Sequence, residues 1–217
     1  MPLQFSLKLL NEEAMQKQIL KAVLERLKWK WKEHAEALKN TFGVEVMAAI
    51  TESPTYKSMD GGVLQEEFGL VSGAHGMDQI IMGIINSSNM IIREPKISGN
   101  RITGSMRIES VPLDLSEFHD IAQQVTEKGQ RLPWFKWLTT LGDAIIVRDF
   151  EVQAGFPKSS RTGDKIMVKG SGWRVPPEHA GSEGNNFITK AVDEIMPRLE
   201  KHVEYWFLEA IMTGKRI

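Results

Sequence analysis

The 217-residue chain contains no cysteine, which excludes disulfides, thiolate nucleophiles and thiolate metal sites, and suits folding in a reducing cytoplasm. Excess charge is missing too. Twenty-seven Lys and Arg face 28 Asp and Glu, and the resulting net charge of −1 excludes a grossly basic nucleic-acid binder. A local basic face still fits within a neutral total. No apolar run approaches bilayer-spanning length, and the opening MPLQFSLKLL lacks a signal-peptide layout. The expectation is a soluble protein made in the cytoplasm, with no membrane partner.

Catalytic motifs are missing as well. His34, His75, His119, His179 and His202 are scattered, and none sits at helical metal-ligand spacing from another. Gly170-Ser171-Gly172-Trp173 lacks the lysine and Ser/Thr of a phosphate loop, and no G-x-S-x-G elbow occurs. Ser159 to Gly163 fits a phosphate loop and a turn at a hairpin tip equally well, and one short glycine motif is a weak signal. Glu12-Glu13 and Glu66-Glu67 fall at a helix start and in a polar segment, where solvation accounts for them. The sequence therefore predicts no catalytic, cofactor-binding or metal-binding residues, and no enzyme.

With 41% hydrophobic and 25% charged residues, the chain is an ordinary globular sequence that can bury a core. The pattern predicts a single α+β domain over residues 1–217, a small mostly antiparallel sheet packed against helices. Residues 1–10 alternate through Leu3, Phe5 and Leu7 and suit a strand or an arm laid on a neighbour; residues 11–52 read as a helical N-terminal part, and 53–217 as the α+β body. Asn11 caps a helix in which Met15, Ile19, Val23, Leu27, Trp31 and Leu38 share a face, running to about Asn40. A shorter helix covers Val44 to Thr51, and another covers Asp78 to Ile85.

A hairpin follows, Met90 to Ile97 and Arg101 to Ser110, turning at Ser98-Gly99-Asn100. Ser116 caps a helix through Phe118, Ile121, Ala122 and Val125, stopped by Gly129. Pro133 opens a short helix closed by Gly142. Ala144 to Gln153 and Lys165 to Lys169 form a second hairpin with the loop Ala154 to Asp164 at its tip. The last helix starts near Asn185-Asn186 and turns Ile188, Val192, Ile195, Leu199, Val203 and Phe207 inward, with a kink or break at Pro197.

Two features point outward. Six of the 18 glycines lie between Gly155 and Gly184, around Trp173 and the stiff pair Pro176-Pro177. A crossing this long that keeps Trp173, Val175 and Phe187 reads as an ordered loop built to touch something. Trp29 and Trp31 lie about 200 degrees apart on a helix, so one of them meets a second surface. Tyr56, Phe68, Arg161, Trp173, Arg174 and Phe187 are the candidate interface residues. Lys17, Lys21, Lys28 and Lys32 share a broad helix face that suits either solvent or the phosphates of DNA.

The segments SPTYKSMDGGVLQEEFGL, LPWFKWLTTLGDAIIV, SRTGDKIM and WRVPPEHAGSEGNNFITKAV, in order between Thr51 and Val192, resemble neck and tail-completion virion proteins of tailed bacteriophages. The resemblance implies an α+β fold and a homo-oligomeric ring of the head–tail connector, located in the virion. Its partners would be other neck, portal-side and tail proteins, with transient contact to DNA in the channel and no cofactor. His179 stands where a larger apolar group is expected, and the lysine-rich helix lies outside the resembling stretch. Two alternatives stand beside it: a tail terminator or other tail-tube ring protein, and a DNA-processing enzyme, which would need metal-binding carboxylates on adjacent strands.

Overall fold

A computed structural model describes residues 12–70, 73–74, 76–110, 118, 122–125 and 129–212. The arm at residues 1–10, His75, His119 and most of the helix expected from Ser116 lie outside the described residues. The architecture is α+β, with helices and small antiparallel two-stranded sheets, each pairing consecutive strands. In chain order these are α1 (Glu12–Glu52), α2 (Pro54–Gly61), α3 (Val63–Phe68), α4 (Met77–Ser87), the β1–β2 hairpin (Ser88–Ser98, Arg101–Ser110), β3 (Gln124–Val125), β4 (Arg131–Leu132), α5 (Trp134–Thr140), β5 (Phe150–Gln153), β6 (Ile166–Lys169) and α6 (Phe187–Met212). Among the described residues no helix is long and apolar enough to cross a membrane. The chain divides into two compact units.

One unit gathers residues 1–40, 90–109 and 199–217. Here α1 buries Leu27, Ala35 and Leu38, and α6 buries Leu199. His34 stacks on Trp206 at 5.6 Å with rings 9° from parallel. The β1–β2 hairpin lies along α1, with Asn100 at its tip donating to Gln16 Oε1 at 3.0 Å. Gly99 takes φ 62 in that turn, a left-handed conformation that glycine adopts without strain. Met15 and Ile19, expected on the core face, are 40% and 54% exposed instead. Phe207, expected inward, is 45% exposed, and Trp206 takes the inward place. Of the tryptophan pair, Trp29 is the outward one at 57% exposure, with Lys30 Nζ 5.1 Å above its ring.

The other unit gathers residues 41–89 and 110–198. Its core is built from Val46, Ile50, Met59, Leu64, Phe68, Ile80, Ile81, Phe135, Leu138, Val175 and Ile195, all fully buried. Ser53 caps α2, its side chain accepting from the Tyr56 N–H at 3.2 Å, and Pro54 occupies the first turn, where no donor is lost. Helix α3 ends in a Schellman turn: Gly69 sits at φ 66, its N–H reaches Glu66 O, and the Leu70 N–H reaches Gln65 O. Asn186 caps α6. Its Oδ1 accepts from the Ile188 and Thr189 N–H groups at 3.0 and 3.1 Å, while Thr189 Oγ1 accepts from the Asn186 N–H at 2.9 Å. Pro197 lies inside α6, which continues past it without a break.

Three local expectations change. The helix α1 runs unbroken through Thr41-Phe42-Gly43, and Gly43 lies so close to Ile85 that a Cβ there would sit 3.3 Å from its side chain. Val125, expected in a helix, pairs with Arg131 as a strand. The expected strand from Ala144 shrinks to Phe150–Gln153, since Asp149 at φ 60 breaks the extended run; Val147 still bridges to Trp173.

Candidate functional site

Segments far apart in sequence meet around Trp173. Its indole is 6% exposed and packs edge-on to Phe68 at 5.5 Å and to Trp137 at 5.8 Å, while Phe68 and Trp137 are themselves 5.6 Å apart. Such edge-to-face contacts suit the ring quadrupoles. Glu67 closes one side: its Oε2 accepts from Trp173 Nε1 at 3.0 Å, and its Oε1 accepts from Lys165 Nζ at 3.1 Å. Its two partners come from separate segments, so Glu67 ties α3 to the residue just before β6 and to the Trp173 crossing. Gly142 donates to Gly181 O at 2.8 Å, joining the turn after α5 to the same crossing.

The loop between β5 and β6 stands above this core. Asp164 folds it, accepting from the Gly155 N–H at 2.8 Å through its side chain and from the Phe156 N–H at 2.9 Å through its carbonyl. Ser160 Oγ accepts from the N–H groups of Thr162 and Gly163. Arg161 lies over Gly69, where a Cβ would strike its guanidinium, and donates to Gly69 O at 3.4 Å. A cleft of about 370 Å³ lies between this loop and α3. Ile145, Phe150, Phe156 and Met167 are exposed around the same hairpin.

A second cleft of about 380 Å³ lies where α2 meets the start of α6. Thr55 Oγ1 and His179 Nδ1 are 3.2 Å apart there, with Glu178 and Lys190 on the rim. Burial lowers the His179 pKa below 6.5, against the opposing pull of Glu178 and Glu67. Burial raises that of Tyr56, with Asp78 and Asp60 adding to it. Among the described residues, no group of three or more His, Asp or Glu is placed to hold a metal. The arrangement offers surfaces for contact.

The expected interface residues divide. Phe68, Trp173 and Phe187 are buried at 1%, 6% and 7% exposure, which corrects their reading as surface anchors. Their apolar bulk is spent inside the fold. Tyr56 is half-buried, while Arg161 and Arg174 are exposed. On α1, Lys17, Lys21 and Lys28 are exposed; the Lys32 side chain lies outside what is described. Glu67 was missed because a Glu-Glu pair in a polar segment resembles a solvated one, and its partners lie about a hundred residues away. His179 carried a signal, a polar group where an apolar one was expected, and Thr55 is the reason it fits.

The first unit carries a groove of about 580 Å³ lined by Leu27, Trp31, His34, Ile102 and Trp206. Trp31 Nε1 and His34 Nε2 are buried without a hydrogen-bond partner. Burial lowers the His34 pKa; Glu33 and Glu209 oppose this and Lys30 reinforces it. Comparison with protein-family models, with curated proteins and with solved structures finds no match to this chain.

Proposed function

We propose that this chain is a structural virion protein of a tailed bacteriophage, a ring-forming component of the head–tail connector similar to neck and tail-completion proteins. One observation carries the reading: the four segments that bear the resemblance fold into one compact unit and onto each other. Phe68 comes from the first, Trp137 from the second, Lys165 from the third and Trp173 from the fourth, and all four meet at Glu67 or at the aromatic cluster. A shared pattern scattered over unrelated surfaces would carry much less weight. The exposed apolar side chains around the β5–β6 hairpin add support, since a ring subunit needs such contacts with its neighbours.

The role asks for rigid presentation of surfaces, and turnover has no part in it. Particle assembly tests it. Phage made without this chain should accumulate filled heads and separate tails, and the purified chain should join them. Normal tailed particles in its absence would refute the proposal.

A further inference from the structure

In the first unit α1 and α6 meet through His34 and Trp206, whose rings stack 5.6 Å apart and 9° from parallel. The His34 Nε2 is buried and has no hydrogen-bond partner. Trp31, one turn earlier on α1, buries its Nε1 without a partner as well. An indole nitrogen can only donate, so this unmet N–H shows that the packing around the pair has no acceptor to spare. The charged groups nearby do not supply one. On α1, Glu33 is engaged with Lys30 Nζ at 3.1 Å. On α6, Glu209 acts on His34 through its charge, without bonding to Nε2, and Glu204 is an exposed residue on the groove. His202 of α6 is exposed and tilts against the same indole at 6.1 Å. The β1–β2 hairpin brings Pro95, Ile102, Gly104 and Ser105 to the groove, none of them titratable.

A neutral imidazole can keep its proton on Nδ1 and leave Nε2 bare, whereas an imidazolium carries an N–H on both nitrogens. Protonation in place therefore adds a buried donor with nothing to accept it, which is a costly state. An indole face attracts a cation, but near-parallel rings point the new N–H along the indole plane and not into it. Swung out into water, the same ring takes up its proton freely. We infer that His34 is an acid-release catch: its protonation opens the contact between α1 and residues 199–212 of α6 and uncovers inward side chains such as Leu27. Burial lowers the packed ring's pKa below 6.5, so closure is complete above 6.5 and weakens as the pH falls through it. It levels off below the lowered packed value. Between the two, the open population rises about tenfold per pH unit, because one proton separates the states.

Amide hydrogen exchange on the whole chain, read segment by segment and corrected for its intrinsic pH dependence, tests this. As the pH falls below 6.5, protection should drop over residues 199–212 and around His34, while residues 41–89 keep theirs. No drop, or an equal drop in both units, would overturn the inference. His34→Phe keeps a ring against Trp206 and has no proton to take up, so residues 199–212 should stay protected in acid. Loss of their protection at the same pH in this variant would also overturn it. His202→Phe should leave the transition in place; its disappearance there would assign the proton to His202 and refute the catch. Should His34→Phe fail to fold, NMR titration of the unsubstituted chain decides. The His34 ring signal should titrate below 6.5 and move together with the Trp206 indole signal, and a midpoint at or above 6.5 would refute the catch.

Discussion

Glu67 holds the Trp173 indole and the Lys165 ammonium at once, with its side chain only 12% exposed. Glu67→Ala leaves both donors short of an acceptor, and a buried donor without one costs about 1–3 kcal/mol. Urea unfolding should show that loss. Trp173→Ala should cost more, about 3–5 kcal/mol, because it empties the space between Phe68 and Trp137. Unchanged stability with failed association would return Trp173 to the surface. His179 supplies a pH dependence. Burial holds its folded pKa below 6.5, so the unfolded chain takes up the proton more readily. Stability is therefore full above 6.5, falls as the pH drops through it, and levels below the lowered folded value. His179→Asn, which keeps an amide beside Thr55, should reduce that slope in unfolding measurements across the window. Some slope should remain, because burial holds His34 low in the same way.

At the scale of elements, local pattern and distant packing contribute differently. The β1–β2 hairpin was legible because alternation and the Ser98-Gly99-Asn100 turn are local signals. The start of α6 was legible for the same reason, and Asn186 tests it. Its Oδ1 caps two N–H groups and its Nδ2 donates to Ser182 O at 3.0 Å, so Asn186→Ala should cost about 1–2 kcal/mol. A shift in melting temperature reads it; no shift would mean that the cap contributes nothing. What the sequence concealed depended on distant residues. Gly43 looks like a helix break, yet α1 runs through it with Ile85 packed close. The aliphatic run from Ala144 looks like one strand until Asp149 turns left-handed. Trp173 looked like a surface anchor because Phe68, Trp137 and Glu67 lie far from it in sequence. The apolar residues of α1 looked like one face, although Met15 and Ile19 are exposed while Leu27 and Leu38 are buried.

At the scale of the whole molecule, the near-neutral charge matters for a chain proposed to line a DNA passage, since a densely basic wall would grip the duplex. Lys17, Lys21 and Lys28 are exposed on α1. Replacing these three and Lys32 with glutamine should change stability by no more than about 0.5 kcal/mol. DNA retention in filled, tailed particles should fall in a graded way, and any DNA binding by the unsubstituted chain should weaken steeply with added salt. Failed joining of heads and tails would instead assign this face to a protein neighbour. The central claim is that copies of this chain close into a ring between head and tail. Electron-microscopic class averages of the purified chain, over a wide concentration range and on isolated necks, test it most directly. The account predicts closed rings with an open central channel in at least one of these settings; a monomer at every concentration, with no copy in the neck, would contradict it.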